Sequence, residues 1–359
     1  MTQAGATLTP LGERLLGRIE NFGPITIADY MAACLGDPEH GYYMAREPFG
    51  TAGDFITAPE VSQMFGELIG LWAVETWNRM GRPDPFVLAE LGPGRGTLMA
   101  DALRAARAQP AFEAAARIVM VETSPRLRAR QQATLAAHDI AWADRIEDLP
   151  DGPVIIIANE FFDALPVRQF LRVGTGWAER MVGVEDGRLI FGLRPDAHFE
   201  GADPNLPDGA LVEIASVSAA IMAAIAERLV RFGGALLAID YGHAGIGTGD
   251  TLQAVRAHQF DDPLAHPGEA DLTVHVDFGL LARIAAAHGA TPAPIWTQGD
   301  FLLALGLLER AGRLGAGKDA ETQDAIRSAV ARLAGPEAMG TLFKVLAVAA
   351  PGLALPPFA

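Results

Sequence analysis

Cysteine, positive charge and long apolar runs are all scarce in this sequence. Cys34 is the only cysteine in 359 residues, so neither an intramolecular disulfide nor a thiolate metal cluster can form. Only 28 Lys and Arg face 44 Asp and Glu, and the net charge of -16 disfavours binding to nucleic-acid phosphates. No stretch reaches the roughly 18 apolar residues that span a bilayer, and the N-terminus lacks a signal-peptide core. We therefore expect a cytoplasmic protein with no membrane insertion and no nucleic-acid partner.

The sequence does contain enough apolar residues for a full core, since 50% of them are hydrophobic. A chain of 359 residues exceeds a typical single domain, so we expect a core and an accessory region. Apolar residues at helical spacing predict helices at 9–20, 26–35 and 58–80. The segment 1–82 is thus predicted to be an N-terminal helical cap that carries one ordered loop.

From Phe86 onward, predicted strands alternate with predicted helices, which is typical of a largely parallel sheet covered on both faces. The predicted core spans 83–350 and has a Rossmann-like α/β fold with a sheet of about seven strands. Turn signals between alternating runs predict a β-hairpin insertion at 167–212, and a loop insertion is expected at 243–276. The strands are predicted at 86–91, 117–122, 153–158, 234–240, 292–297 and 342–349, and the helices at 96–108, 124–137, 214–232 and 277–288.

The first predicted core strand ends in ELGPGRG, which has the spacing E-x-G-x-G-x-G. Its members are Glu90, Gly92, Gly94 and Gly96, and glycines at alternate positions let the backbone approach a ligand closely. A dinucleotide site would instead have G-x-G-x-x-G and would place pyrophosphate where Glu90 lies. The carboxylate suits the cationic amino group of S-adenosyl-L-methionine, so a methyltransferase is favoured over a dinucleotide site or a structural turn.

Acidic residues also follow the next two predicted strands. Glu122 ends the second strand, where open α/β sheets use an acid to bind ribose hydroxyls, although a surface carboxylate is the alternative. Asn159, Glu160 and Asp163 follow the third strand in NEFFD, at the edge where ligands bind in this architecture. We predict an acceptor site there, with Asn159 as a contact of the cofactor and a capped loop as the structural alternative.

The segment GDFITAPEVSQMFGE contains a pattern typical of a helix start. Thr57 as N-cap and Glu60 three residues later would form a capping box, which accounts for both residues structurally. Gly53, Asp54 and Phe55 have no such explanation, and we predict that they close over the cofactor.

Two further patterns are interpreted as having no catalytic role. GRLGAGK at 312–318 matches part of a P-loop, but Asp319 replaces the required Ser or Thr, so a flexible loop is predicted. The histidines and aspartates between 258 and 277 lack any known ligand spacing, so no metal site is predicted.

A colinear set of segments resembles the MidA family, whose mitochondrial members assist the assembly of respiratory complex I. The segments run in order from about residue 23 to residue 306, and MGTLFKVLA extends them: GPITIADYM, GYY, GDFITAPEVSQMFGE, LAELGPGRGTLMADALR, VETSPRL, NEFFDALPVRQF, LLAIDYG, HPGEADLTVHVDF and FLLALG. The resemblance implies a class I methyltransferase fold, S-adenosyl-L-methionine as methyl donor, and symmetric dimethylation of an arginine in a partner protein. It also implies that a subunit of respiratory complex I is a candidate acceptor.

The acceptor hypothesis assigns roles to two acidic residues. Glu160, together with Asp163, is expected to bind a guanidinium group, because carboxylates pair with that group in a bidentate way. The main alternative is an assembly factor that binds S-adenosyl-L-methionine without turnover, and an NAD-dependent oxidoreductase is a further one. A homodimer is compatible with the sequence, which does not fix the oligomeric state.

Overall fold

The computed structural model describes residues 8–45, 57–199, 203, 205–245 and 247–358. Gly53, Asp54 and Phe55, which were predicted to close over the cofactor, lie outside the described residues. The chain divides into two compact units. The accessory unit comprises the described residues of 1–55, 163–218 and 246–275, and the core unit comprises those of 56–162, 219–245 and 276–359.

Seven of the fourteen α-helices of the described residues begin at a short polar side chain that caps them. In α2, for example, Thr26 Oγ1 accepts a hydrogen bond from the Asp29 amide at 3.0 Å, which satisfies a free N–H of the first turn. The helices of the described residues are α1 Pro10–Phe22, α2 Ile27–Gly36, α3 Tyr42–Ala45, α4 Ala58–Val61, α5 Gln63–Arg79, α6 Thr97–Ala106, α7 Pro110–Ala115, α8 Pro125–Thr134, α9 Ser216–Phe232, α10 Phe278–Ala287, α11 Gln298–Ala304, α12 Leu307–Gly315, α13 Ala320–Ala334 and α14 Met339–Leu342.

The strands fall into three sheets. They are β1 Ile25–Thr26, β2 Phe86–Leu91, β3 Ala116–Val121, β4 Ile140–Ala143, β5 Val154–Asn159, β6 Arg168–Val173, β7 Gly176–Glu185, β8 Arg188–Arg194, β9 Leu211–Ile214, β10 Gly234–His243, β11 Gln253–Arg256, β12 Gln259–Asp261, β13 Asp271–Thr273, β14 Val276–Asp277, β15 Thr291–Pro292, β16 Trp296–Thr297 and β17 Phe343–Ala349.

The core unit is built on the largest sheet, with the order β15-β17-β10-β5-β2-β3-β4. Strands β10, β5, β2, β3 and β4 run parallel, whereas β17 is antiparallel to β10. All six residues of β2 and of β5 are buried, as is typical of a sheet covered on both faces. The predicted Rossmann-like α/β fold is confirmed. Seven strands form the hydrogen-bonded path, and the two-residue strands β14 and β16 pair beside it.

The accessory unit holds the other two sheets. One has the order β1-β7-β6-β9 with β8 beside β7, and its β6–β8 meander lies within the predicted β-hairpin insertion at 167–212. The other is a three-stranded antiparallel sheet in the order β12-β11-β13. The segment 243–276, predicted as a loop insertion, contains this small sheet, because its short strands gain their ladder partners from each other.

The predicted boundary at residue 82 does not coincide with the division of the chain. Helix α5 belongs to the core unit, because Gly66 and Gly70 allow α6 to approach closely: a Cβ at Gly70 would lie 2.4 Å from the Ala102 carbonyl oxygen. The single helix predicted at 58–80 is interrupted at Ser62, whose φ of -165° and ψ of 141° are extended. The flexible loop predicted at 312–318 was also wrong in part, since α12 continues to Gly315.

Among the described residues, no helix has both the length and the apolar character needed to cross a membrane.

Candidate active site at the carboxyl edge of the sheet

The carboxyl ends of β2, β3, β4 and β5 meet at one edge of the core sheet, because these strands are parallel neighbours. Open α/β sheets bind their ligands at this edge. A cavity of about 290 Å³ lies there. It is lined by Leu91, Gly92, Val121, Glu122, Thr123, Asp144, Arg145, Ile146, Glu147, Phe161 and Ile221.

The glycine loop leads from β2 directly into α6. Gly92, Gly94 and Gly96 have φ values of 59°, 53° and 79°, in the left-handed region that favours glycine. A Cβ at Gly92 would lie 3.0 Å from Cδ2 of Phe161, so glycine also keeps that approach open. Gln131 Nε2 donates a hydrogen bond to the Gly94 carbonyl at 2.8 Å, which holds the loop in place.

Glu90 lies beneath this loop with only 3% of its surface exposed. The Met99 amide donates a hydrogen bond to its carboxylate, yet burial dominates and raises the pKa of Glu90 to about 8. Its Oε2 atom is buried, and no donor of the described residues lies within hydrogen-bonding distance of it. A buried carboxylate oxygen without a donor fits the ammonium group of an amino-acid-like cofactor.

Glu122 lines the cavity from the end of β3. Its Oε1 accepts a hydrogen bond from the Ser124 amide at 2.8 Å, and its Oε2 accepts one from Gln131 Nε2 at 3.2 Å. Burial nevertheless raises the pKa of Glu122. Because Gln131 also holds Gly94, one side chain links this acid to the glycine loop.

The cavity wall contains a segment that the sequence patterns did not reveal. Asp144, Arg145, Ile146 and Glu147 follow β4, a four-residue strand whose sequence IAWA is too short for a periodic signal. Strands and helices alternate in this part of the chain, and that alternation alone could have predicted a strand after α8. Asp144 is tied to the site because its Oδ1 accepts a hydrogen bond from Arg128, which also donates to the Glu122 carbonyl.

Glu160 follows β5 in an unusual backbone conformation, with φ at 49°. A glutamate in the left-handed region is strained, and such strain persists only where the surroundings enforce it. Its Oε1 accepts hydrogen bonds from the Ala58 amide at 2.9 Å and from Asn159 Nδ2 at 3.1 Å. Burial raises the pKa of Glu160, and these hydrogen bonds and the charge of Arg332 oppose the increase. Oε2 accepts no hydrogen bond from the described residues.

Asp240, in β10, enforces the turn that holds Glu160. Its Oδ2 accepts hydrogen bonds from the amides of Phe161 and Phe162 at 3.1 and 3.0 Å, and its Oδ1 accepts one from the Tyr241 amide at 2.9 Å. Asp240 is 1% exposed. The sequence showed it as an acid inside a buried strand, LLAIDYG, but only the fold identifies which amides it holds.

The predicted capping box at Thr57 and Glu60 was wrong. Thr57 precedes α4 but makes no side-chain cap. The Glu60 carboxylate lies instead beside the glycine loop, where its Oε1 accepts a hydrogen bond from Thr97 Oγ1 at 2.7 Å. Its Oε2 lies 3.7 Å from Arg95 Nη1. Glu60 therefore bonds to Thr97, which is distant in sequence, and does not form a capping box with Thr57.

Asp163 is the first residue of the accessory unit that follows β5, and it is 6% exposed. Its carbonyl oxygen accepts a hydrogen bond from the Val274 amide at 3.0 Å. Within the same unit, Tyr43 donates a hydrogen bond to Asp271 Oδ1 at 3.0 Å. The pKa of Tyr43 is raised, first by burial and then by the charges of Asp271 and Asp163.

Two other features lie outside this edge. A groove of about 540 Å³ between α12 and α13 is lined mostly by apolar residues and glycines, and it contains none of the predicted site residues. The described residues contain no group of three or more His, Cys, Asp or Glu that could hold a metal ion. Of the histidines near the β11–β13 sheet, His266 lies 2.6 Å from Asp261 as an ordinary pair.

A parallel sheet with a glycine loop, buried acids and a cavity at its carboxyl edge defines an enzyme of the class I methyltransferase fold. The chain belongs to the family of S-adenosyl-L-methionine-dependent methyltransferases (Methyltransf_28), whose model matches residues 68–295. Its methyl donor is S-adenosyl-L-methionine.

The chain is similar to mitochondrial protein arginine methyltransferases. It is 38% identical to the NDUFAF7 homolog of Drosophila melanogaster, over 94% of this chain and 84% of that protein. It is 36% identical to NDUFAF7 of Homo sapiens, over 84% of this chain and 74% of that protein. In structure it resembles a COG1565 superfamily member from Burkholderia thailandensis bound to S-adenosyl-homocysteine. The TM-score is 0.85 and the identity is 28%, over 98% of this chain and 96% of that one.

Proposed function

We propose that the protein transfers methyl groups to an arginine side chain of a partner protein and forms symmetric dimethylarginine. The names of the mitochondrial relatives support this acceptor class. The observation that carries the proposal is the Glu160 carboxylate, which follows β5 at the carboxyl edge of the sheet and whose Oε1 is held in place by two hydrogen bonds.

The donor half of the site is assigned to residues around the glycine loop. We assign Gly92, Gly94 and Gly96 to the close approach of the cofactor backbone, and Glu90 to its amino group, because Oε2 of Glu90 is buried without a donor. Glu122, on the cavity wall, is assigned to the ribose hydroxyls. Asn159 fixes Glu160 from the neighbouring position. Gly53 and Asp54 stay predicted contacts of the cofactor.

The chemistry demands positioning more than acid-base catalysis. S-adenosyl-L-methionine supplies a methyl group already activated on a sulfonium, and its thioether leaves as a neutral group. An arginine is protonated and its electrons are delocalised, so the enzyme must orient it and favour electron density on one nitrogen. A carboxylate at Glu160 would do both by pairing with the opposite N–H groups. We propose Asp163 as a second carboxylate in this role.

The substitution Glu160→Gln tests the acceptor assignment. The variant should bind S-adenosylhomocysteine with a dissociation constant within about twofold of the wild-type value. Methyl transfer should fall by about a hundredfold, because one charge-assisted pair contributes roughly 2–3 kcal/mol. Glu113→Gln, on the exposed side of α7, is the matched control and should transfer at the normal rate. Normal transfer by Glu160→Gln would contradict the assignment.

The acceptor, location and assembly are proposals as well. We propose that the acceptor is a subunit of respiratory complex I, that the protein is cytoplasmic, and that a homodimer is one assembly to test by light scattering. Radiolabelled methyl transfer to a lysate that lacks the protein would reveal the acceptor as a labelled band. An unlabelled lysate, together with normal cofactor binding, would favour an assembly factor without turnover.

A further inference from the structure

Helix α4 touches both halves of the candidate site. The helix is only four residues long, and it packs against α5, α6 and α13 within the core unit. Ala58, its first residue, is fully buried, so the position of its backbone is fixed. Two of its groups make hydrogen bonds to functional segments that are distant in sequence.

The first of these contacts is made to the cofactor loop. Thr97 Oγ1 donates a hydrogen bond of 2.7 Å to Glu60 Oε1, and Arg95 lies 3.7 Å from Glu60 Oε2. The Glu60 side chain is 20% exposed. Arg95 and Thr97 flank Gly96, which precedes α6 in the left-handed conformation. Glu60 therefore holds the end of the glycine loop from outside the loop itself.

The second contact is made to the acceptor side. The Ala58 amide donates a hydrogen bond of 2.9 Å to Glu160 Oε1. Ala58 and Glu60 are two residues apart in one helical turn, so a displacement of one displaces the other. The cofactor loop is thus connected to the Glu160 carboxylate in three steps: the Thr97–Glu60 hydrogen bond, the backbone from Glu60 to Ala58, and the Ala58–Glu160 hydrogen bond.

We propose that Glu60 is a positioning residue that fixes the cofactor loop and couples it, through α4, to Glu160. The coupling to Glu160 rests on the proposed function of that residue. Its consequence is that an occupied cofactor loop orders α4, and that α4 in turn orients the carboxylate that receives the acceptor.

A double-mutant cycle measured by calorimetry tests the contact to the loop. The variants are Glu60→Ala, Thr97→Val and the double variant, and the ligand is S-adenosylhomocysteine. Each single change should raise its dissociation constant by about tenfold, since a charge-assisted hydrogen bond contributes roughly 1.5 kcal/mol or more. The double variant should bind about as weakly as Glu60→Ala, because Glu60→Ala already removes the one contact that Thr97→Val removes. The proposal would be overturned if the increase in the dissociation constant of the double variant equalled the product of the two single increases. Normal affinity of Glu60→Ala would overturn it as well.

Conservative and control variants separate positioning from folding. Glu60→Gln and Thr97→Ser retain an acceptor and a hydroxyl, so both should bind within about threefold of the wild-type affinity. Glu75→Ala, an exposed position of α5 paired with Arg79, should bind normally. If both conservative variants lost affinity for S-adenosylhomocysteine by about tenfold, the Thr97–Glu60 hydrogen bond could not be the cause of the weaker binding.

Hydrogen exchange tests the coupling without any need for turnover. In the wild-type protein, S-adenosylhomocysteine should slow the exchange of the amides of Ala58, Glu60 and Val61, and Glu60→Gln should behave in the same way. In Glu60→Ala, at saturating ligand, this slowing should disappear. Equal protection in Glu60→Ala, or none in the wild-type protein, would overturn the coupling. Neither result changes the proposal that arginine is the methyl acceptor. The transfer assay of Glu160→Gln tests that proposal separately.

Discussion

At the scale of single residues, three acidic side chains lie at one edge of the core sheet, of which Glu90 and Glu122 are buried and Glu160 is half-buried. Burial raises the pKa of Glu90, Glu122 and Glu160, because each loses solvation that its hydrogen bonds replace only in part. Such groups favour a cationic ligand over an anionic one. The edge is thereby matched to a positively charged sulfonium donor and mismatched to a pyrophosphate.

Glu90 should release a proton when the cofactor product binds. Because its pKa is raised to about 8, the carboxyl is mostly protonated in the free protein at pH 7, and an ammonium group beside it would ionise it. Calorimetry of S-adenosylhomocysteine in buffers of different ionisation enthalpy measures the released proton. Glu90→Gln should abolish the release and weaken binding. Equal proton release in both proteins would exclude Glu90 as its source.

The same group makes the free protein less stable as the pH rises. Its folded pKa lies above the ordinary 4.5, so its stabilising contribution is complete below pH 4.5 and is lost as the pH rises through about 8. Glu90→Gln should remove this component from urea unfolding curves measured across that window.

Gly92 is expected to be required for binding rather than only for folding. Gly92→Ala adds a Cβ at φ 59° and 3.0 Å from the Phe161 ring, so the ring or the loop, both of which line the cavity, must shift. Gly174→Ala is a matched control, since its φ is 57° and its Cβ would meet nothing within 4 Å. Both should lose roughly 1–2 kcal/mol of unfolding free energy. Only Gly92→Ala should bind S-adenosylhomocysteine more weakly, and equal affinities would refute this.

At the scale of elements, the site depends on how β10 holds the turn after β5. Strand β10 lies beside β5, which brings Asp240 to the amides that follow Asn159. This contact keeps Glu160 in its left-handed conformation. The turn is therefore set by a neighbouring strand rather than by its own sequence.

Asp240→Asn should impair transfer more than cofactor binding. An asparagine has one carbonyl oxygen for three amides, so at least one buried N–H loses its partner, at a cost of roughly 1–3 kcal/mol. The turn should then relax and Glu160 should leave its orientation, which lowers kcat while the dissociation constant of S-adenosylhomocysteine changes by less than about threefold. Asp148→Asn, at a solvent-exposed position, is the control. An unchanged kcat in Asp240→Asn would show that the turn does not need this acid.

At the scale of the whole molecule, only the core unit contains the glycine loop and the cavity. A ligand that binds the native state alone raises the unfolding free energy by about 2.7 kcal/mol at a hundred times its dissociation constant. S-adenosylhomocysteine should therefore raise the melting temperature, and NAD at the same concentration should not. A shift with NAD alone would favour the dinucleotide reading of the glycine loop.

The sequence alone determined the features that depend on neighbouring residues. Strand β2, for example, was predicted with its observed bounds, since a run of apolar residues ends directly at a glycine-rich segment. The sequence also placed Glu90, Glu122 and Glu160 at one edge of the sheet, because the ends of parallel strands necessarily share one edge. Their roles in binding and transfer stay predictions.

Only the tertiary structure decided which distant groups hold the site together. Thr97 donates to Glu60, the Ala58 amide donates to Glu160, and Asp240 accepts from the turn after β5. The short strand β4 and the three-stranded sheet at 253–273 likewise become stable only through their partners. The physical reason is that a hydrogen bond depends on distance in space, whereas sequence patterns record only neighbours along the chain.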